Sequence, residues 1–242
     1  MTRTCLACEM YQDSFALEPQ LTDKYMNNVQ KSSREVFRDF VDSSNSLHEI
    51  RYQDGTPVGG AFGNHINPGH TIEDMWFQLD ASTIGGENRL SDIAAVAKHA
   101  FKLGWDPLYG GLFHFADAQS GGMPSDETLT GKDEPQLKLV MDDWSSKLWW
   151  VHAEALYTYL RLYFETGDRE FLTIYREVEE YTFSVFPNPD KSVGEWIQIR
   201  ARDGSPMDKV VALPVKDPFH ITRDFALIID LLERAEKEDY ND

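Results

Sequence analysis

KLWWVHAEALYTYLRLYFETGDREFLTIYREVEEYTFSVF, residues 147–186, predicts two consecutive helices joined by a short turn. Apolar residues recur at helical spacing over Lys147–Thr166 and again over Arg169–Phe186. Gly167 and Asp168 separate the two segments, and both residue types favour helix ends and turns. Two helices joined by so few residues form an antiparallel hairpin. This stretch therefore predicts helix-on-helix packing.

The same periodicity extends outward along most of the chain. The other predicted helices are Leu21–Val41, Thr71–Thr83, Arg89–Leu103 and His220–Glu236. The segments between them have β character or turn composition. We predict a hairpin arm at Leu47–Tyr52, short strands at Gly111–Phe115 and Gly194–Arg200, and a loop at Gly121–Pro135. The sequence thus predicts one all-α domain over residues 21–242, with short β hairpins in its loops, after an N-terminal segment 1–20 of unclear role.

The composition excludes several classes of protein. The chain has 242 residues and a hydrophobic fraction of 41%, which is enough for a sizeable core. Its net charge of −18 repels phosphate backbones and anionic lipids, which argues against nucleic-acid and membrane partners. It contains no apolar run near the ~18 residues of a transmembrane helix, and residues 1–14 lack the apolar core of a signal peptide. We therefore expect a soluble, acidic, cytoplasmic protein.

Cys5 and Cys8 form a single C-x-x-C near the start of the chain. A structural zinc site needs about four ligands, and the chain has no second cysteine pair to supply them. A redox motif would lie between a strand and a helix rather than at the chain start. We interpret the pair as two free thiols in a frayed terminus. No metal-binding histidine spacing and no phosphate-binding glycine loop occurs either, so we expect no metal and no cofactor.

His70 lies where acid–base chemistry is plausible. It follows Asn67, Pro68 and Gly69 at a predicted helix start, and Glu73 comes one turn later on the same face. A carboxylate beside an imidazole fixes its tautomer and raises its basicity. A helix N-terminus with a capping-box glutamate explains the same pattern, and both interpretations stay open. The histidines at 48, 65 and 99 have no such neighbours.

A second candidate group lies in WWVHAE, residues 149–154. Residues two apart on a helix diverge by about 200°, so His152 and Glu154 cannot both point straight into one pocket. Trp149 and Trp150 offer flat apolar faces that suit stacking on sugar rings. They are explained equally well as core residues.

A third candidate group, His220 and Arg223, has i, i+3 spacing at another predicted helix start. A helix N-terminus favours the neutral, basic form of histidine. Arg223 would bring a permanent positive charge to an anionic intermediate. A solvated helix cap is the alternative.

Five motifs occur in a fixed order along the chain: NPGHTIEDMWF, GWDPLYGGLFHF, KLWWVHAEALYTYL, YTFSVFPNPDKSVGEW and PVKDPFHITR. Together they resemble the N-acylglucosamine 2-epimerase family, which also holds sugar aldose–ketose isomerases and cellobiose 2-epimerases. The resemblance covers roughly residues 30–236. The W-W-x-H-x-E form is similar to the N-acylglucosamine branch, because cellobiose epimerases typically carry Gln in place of His152.

The resemblance implies an (α/α) barrel with a pocket at its mouth and a monosaccharide or amino sugar as substrate. It implies that His70 and His220 are the acid/base pair at the sugar C2, acting through an enediolate, without metal or cofactor. The implied substrate-binding residues are Glu73, Glu154 and Arg223, to which we add His152, Trp149 and Trp150 as candidates, with Trp76 as a wall or core residue.

The family barrel has about twice as many helices as the six predicted here, so we expect about half of a barrel. An open half-barrel exposes the apolar inner faces of its helices. One hypothesis is that the chain pairs with itself or with a second chain to close the barrel and works as an epimerase or isomerase. The alternative is a non-catalytic sugar-binding or protein-interaction remnant.

Overall fold

The computed structural model describes residues 2–125, 133–209 and 219–239, which contain nine helices. The long helices are α1 (Thr2–Leu17), α2 (Thr22–Glu35), α4 (Pro68–Gly85), α5 (Leu90–Gly104), α7 (Trp149–Thr166), α8 (Arg169–Val185) and α9 (His220–Asp239), and α3 (Gly60–Asn64) and α6 (Pro135–Asp143) are short. A π-helical turn at Val36–Phe40 prolongs α2. The predicted all-α class is confirmed, and each of the six predicted helices is present.

The long helices form hairpins that pack side by side. The pairs are α1 with α2, α4 with α5, and α7 with α8. Helices α1, α4, α7 and α9 contact one another in that order as an inner row, and α2, α5 and α8 lie outside it. The α7–α8 turn is built as predicted. Gly167 adopts a φ of +68° at the end of α7, and the Asp168 side chain accepts a hydrogen bond from the backbone N–H of Glu170.

The main core lies between the inner and outer helices. Helix α7 is buried along most of its length because α4, α8 and α9 pack around it. The buried Tyr159 hydroxyl donates to the Ala97 carbonyl at 2.9 Å and so ties α7 to α5. This packing fixes the positions of the residues at the start of α7.

The strands are shorter than predicted. β1 (His65–Ile66) pairs with β2 (Ala116–Asp117), and β3 (Lys147–Leu148) pairs with β4 (Ile199–Arg200), both antiparallel. The strand predicted at Gly111–Phe115 is wrong, since only Leu112 forms an isolated bridge. Of the predicted Gly121–Pro135 loop, residues 126–132 lie outside the described residues, as do residues 210–218, which include Pro218 of the fifth motif.

The expectation of a frayed N-terminus is wrong. Residues 2–17 form α1, which packs on α2 and α4. Ala7 and Cys8 are buried against Val29 and Ala81, so apolar contact stabilises this helix in spite of its weak sequence pattern. Burial raises the pKa of Cys5 to about 11 and that of Cys8 to about 12, which keeps both thiols protonated at neutral pH. No helix in the described ranges combines the length and apolar character needed to cross a membrane.

A buried ion pair anchors the loops at the start of α7. The Lys147 ammonium is fully buried and donates to Asp106 Oδ2 at 3.2 Å and to the Gly111 carbonyl at 3.0 Å. Arg202 donates to the same Asp106 carboxylate at 2.8 Å. Burial lowers the pKa of Lys147 to about 8, although Asp106 opposes the shift. The two cations hold three loops together just before Trp149.

Gly111 is expected to be intolerant of a side chain. Its φ is +76°, and a Cβ would lie 2.4 Å from ring atoms of Tyr181. We expect Gly111→Ala to lower the free energy of unfolding by about 2–4 kcal/mol, from overpacking and backbone strain together. The matched control is Gly122→Ala, at a φ of +68° with no described atom within 4 Å, which should cost only ~1 kcal/mol. Urea denaturation measures both, and equal losses would contradict the steric argument.

Candidate active site

His70 lies in the first turn of α4. Asn67 caps the helix by accepting a hydrogen bond from the His70 backbone N–H at 3.1 Å, and Pro68 occupies the first turn. The His70 imidazole donates from Nδ1 to Glu49 Oε1 in a short hydrogen bond. The carboxylate that holds this ring is therefore Glu49, from the loop before α3, and not Glu73 as the i, i+3 spacing predicted. Burial, the largest single cause, would lower the pKa of His70, but the hydrogen bond to Glu49 together with the charges of Glu49 and Glu73 outweighs burial and raises the pKa.

Glu154, on α7, is the centre of a second hydrogen-bonded group. Its side chain is fully buried. Oε1 accepts from His220 Nδ1 at 2.7 Å and from the guanidinium of Arg223, and Oε2 accepts from the Trp76 indole N–H at 2.8 Å. Both carboxylate oxygens are thus occupied by donors from α4 and α9. Such a buried carboxylate is stable only with partners of this kind.

Arg223 also serves a second carboxylate. Its Nη2 is 3.5 Å from Glu73 Oε1, and its guanidinium lies 3.8 Å from the ring centroid of Phe219. Burial, followed by repulsion from Glu154, raises the pKa of Glu73 to about 7. The same two causes raise the pKa of Asp224 to about 9. This group contains three carboxyls, of Glu154, Glu73 and Asp224, and one permanent cation, Arg223. Its carboxyls are therefore partly protonated at neutral pH.

The Trp150 indole contacts both histidines. Its ring centroid is 5.0 Å from that of His70 and 5.3 Å from that of His220, with interplanar angles of 32° and 33°. Each imidazole therefore faces the same apolar ring, and each donates from Nδ1 to a carboxylate. A cavity of about 270 Å³ adjoins this arrangement and is lined by His70, Trp149 and Trp150 together with His114, Gln136 and Leu139.

The sequence model of the N-acylglucosamine 2-epimerase (GlcNAc 2-epimerase) family matches residues 16–223. The chain belongs to this family. Bovine N-acylglucosamine 2-epimerase is 37% identical over 182 residues, which are 74% of this chain and 39% of the bovine protein. The human N-acylglucosamine 2-epimerase is 31% identical over 217 residues, which are 89% of this chain and 47% of the human protein. The chain spans less than half the length of these relatives.

Solved structures show the same fold. Cellobiose 2-epimerase from Bacillus thermoamylovorans superposes with a TM-score of 0.71 at 19% identity, over 94% of this chain and 52% of that one. A D-mannose isomerase superposes with a TM-score of 0.72 at 17% identity, over 94% and 55%. The predicted (α/α) barrel is confirmed, and the matched region is about half of those chains.

Within this epimerase-family chain, His152 does not join the other site candidates. Its buried Nδ1 donates to the Leu148 carbonyl at 2.7 Å, its Nε2 accepts from the Leu112 N–H at 2.9 Å, and its ring stacks on Tyr181. His152 therefore faces α8, while Glu154 faces α4 and α9. This is expected, because side chains two residues apart on a helix point in nearly opposite directions. Trp149 lines the cavity, and Trp76 is a core residue whose N–H reaches Glu154.

Sequence reasoning missed Glu49 and His65. Glu49 accepts from His70 through one oxygen and from His65 Nε2 through the other, at 3.2 Å. Both residues lie in segments without helical periodicity, and no local pattern connects them with His70. Their relation depends on how the loop before α3 folds back over the start of α4.

Glu73, Glu154 and His220 are the one group of three potential metal ligands in the described parts of the chain, with ligand atoms within 4.8 Å of one another. The Arg223 guanidinium already lies against both carboxylates. A divalent ion would have to displace that cation, so this donor set fits a buried ion-pair network better than a metal centre.

Proposed function

We propose that this chain transfers protons at C2 of a sugar, as an epimerase or an aldose–ketose isomerase, with His70 and His220 as the acid/base pair. The observation that carries the proposal is the pair of imidazoles in contact with the same Trp150 ring, each with its Nδ1 hydrogen bonded to a carboxylate. A Nδ1–H bond of this kind fixes the tautomer and assigns proton transfer to Nε2. Two such groups suit removal of a proton from one face and its return to the other.

The chemistry requires an open-chain sugar. One imidazole takes the proton from C2, the electron pair of the C–H bond moves into the C1–C2 bond, and the carbonyl oxygen becomes an enediolate oxygen. The other imidazole, in its protonated form, returns a proton to the opposite face of C2. Arg223 supplies a permanent positive charge for the anionic intermediate, and Glu154 orients His220. Return of the proton to C1 instead, with the O2 proton moving to O1, would complete an aldose–ketose isomerisation.

The substrate we propose is a monosaccharide or amino sugar. The 270 Å³ cavity beside His70 combines flat apolar faces from Trp149 and Trp150 with polar groups such as Gln136. This mixture is typical of carbohydrate sites, where the apolar faces of a sugar ring stack and its hydroxyls form hydrogen bonds. The family assignment supports the same class of substrate.

The proposal is tested by C2 proton exchange. The chain is incubated in D₂O with N-acetylglucosamine, N-acetylmannosamine, mannose, glucose and cellobiose, and C2 is followed by NMR. We expect deuterium to enter C2 of at least one sugar, because exchange reports a single proton abstraction even where the full reaction is slow. A folded sample that exchanges no sugar would overturn the proposal in favour of a non-catalytic remnant.

We also propose that a second chain, or a second copy of this one, covers the ends of the inner row. α1 exposes Leu6, Met10 and Leu17, and α9 exposes Ile229 and Leu232. These apolar side chains lie on the two helices that end the inner row, where a closed barrel has further helices. Light scattering and thermal melting test this directly. A monodisperse monomer that melts cooperatively would contradict it.

A further inference from the structure

His65 is buried between two groups that can only accept hydrogen bonds. Its side chain is 1% exposed, Nδ1 is 3.0 Å from the Ala61 carbonyl oxygen, and Nε2 is 3.2 Å from Glu49 Oε2. A carbonyl oxygen has no proton to donate, and an ionised carboxylate has none either. Although burial opposes ionisation, the bonds from His65 and His70 hold the pKa of Glu49 well below its usual range. Both ring nitrogens of His65 therefore face hydrogen-bond acceptors.

The neighbouring His48 repeats the arrangement. Its Nδ1 lies 3.0 Å from the Gly63 carbonyl oxygen and its Nε2 lies 2.9 Å from Asp42 Oδ2. This ring is buried as well. The two carbonyls, of Ala61 and Gly63, belong to the same short helix, α3. That helix thus holds two histidine rings between its carbonyls and carboxylates of the preceding loop.

Each histidine of the proposed acid/base pair is hydrogen bonded to a carboxylate that has a second partner behind it. His220 donates to Glu154, which is backed by the Arg223 cation. His70 donates to Glu49, which is backed by His65. In each case a cation behind the carboxylate withdraws part of the negative charge that the imidazole experiences. The imidazole keeps its orientation without becoming too basic to release a proton.

We propose that His65 is an imidazolium at neutral pH and acts through Glu49 as a positioning residue that limits the basicity of His70. The inference rests on the proposed function for the role of His70, but the charge state of His65 does not. Other ionisable groups near His70 are Glu73 and Asp74 on its own helix and His114, which burial keeps neutral by lowering its pKa to about 3. None of them replaces the charge of His65.

The test is a pH titration of the histidine rings by ¹⁵N and ¹H NMR, which needs no turnover. In the unmodified chain at pH 7, we expect His65 to show a proton on both nitrogens. His65→Gln, which keeps a neutral donor, is expected to raise the pKa of His70 by about half a unit to one unit, because Glu49 regains its full charge. Glu49→Gln is expected to lower it by about one unit or more. The control is His99→Gln. His99 lies on α5, its Nε2 is 3.0 Å from Ser46 Oγ, and its replacement should leave the pKa of His70 unchanged.

Opposite shifts of the His70 pKa in the two variants distinguish a charge effect from a merely structural one. A structural effect would shift this pKa in the same direction in both variants. Shifts of equal sign would overturn the proposal, and so would a single proton on His65 at pH 7. The protonation of His65 is measured in the unmodified chain, so it tests the proposal even if a variant does not fold. If the histidines titrate as expected but no sugar exchanges its C2 proton in D₂O, only the proposed function would be contradicted.

Discussion

Replacement of His70 or His220 by asparagine is expected to lower the rate of full turnover at C2 by about 10²- to 10⁴-fold, the usual contribution of one acid–base group. Asparagine keeps an N–H near the position of Nδ1, so it can still donate to Glu49 or Glu154, while the nitrogen that moves the proton is lost. We therefore expect little change in melting temperature. NMR of product formation from the best sugar, together with thermal melting, measures both effects.

His99→Asn is the matched control for this pair, because His99 lies on α5 and bonds Ser46. It should retain full turnover. A His70 or His220 variant that kept more than about a tenth of the turnover rate would contradict the two-histidine proposal, since the expected losses begin near 10². A large fall in the melting temperature of either variant would contradict the expectation that asparagine preserves the Nδ1 hydrogen bond.

Arg223→Met is expected to have the largest effect on stability. It removes the cation that lies against Glu154 and Glu73, both almost completely buried. Breaking a buried ion pair on one side typically costs about 3–5 kcal/mol, because a buried charge is left uncompensated. We expect this loss in the free energy of unfolding at pH 8, measured by urea denaturation. Arg234→Met, on the exposed part of the same helix, should cost less than about 1 kcal/mol.

The loss in Arg223→Met should shrink as the pH falls. The pKa of Glu73 is already raised to about 7, chiefly by burial, and removal of the guanidinium raises it further. Between the unfolded value and this raised value the folded state binds more protons than the unfolded state, so stability increases as the pH falls through 7 towards 5. Adding Glu73→Gln to the variant should recover part of the loss at pH 8. An equal loss at pH 5.5 and pH 8 would contradict this account.

The helices and their order follow from the sequence because helical periodicity is local. Residues 147–186 form the predicted hairpin with its turn at Gly167 and Asp168, since the apolar face and the glycine act within a few residues of one another. Helix α1 escaped prediction for the opposite reason. Its apolar residues show little helical pattern, and contact with Val29 and Ala81 stabilises it.

The candidate site divides in the same way. The types of residue, an imidazole near a carboxylate at the start of a helix, were recognisable at His70 and His220, and the divergence of His152 from Glu154 follows from helix geometry alone. The pairing was not recognisable. The sequence paired His70 with Glu73, three residues away, whereas the structure pairs it with Glu49, 21 residues away, and pairs His220 with Glu154, 66 residues away.

The sequence by itself determined the helical class, the family and the residue types available for acid–base chemistry, because these depend on local spacing and on motifs read in order. Only the tertiary structure decided which carboxylate holds which imidazole, that Trp150 contacts both histidines, and that Arg223 and His65 each lie behind one of these carboxylates. The physical reason is that buried charges need partners at hydrogen-bond distance, and those partners come from whichever segments the packing of α4, α7 and α9 brings together.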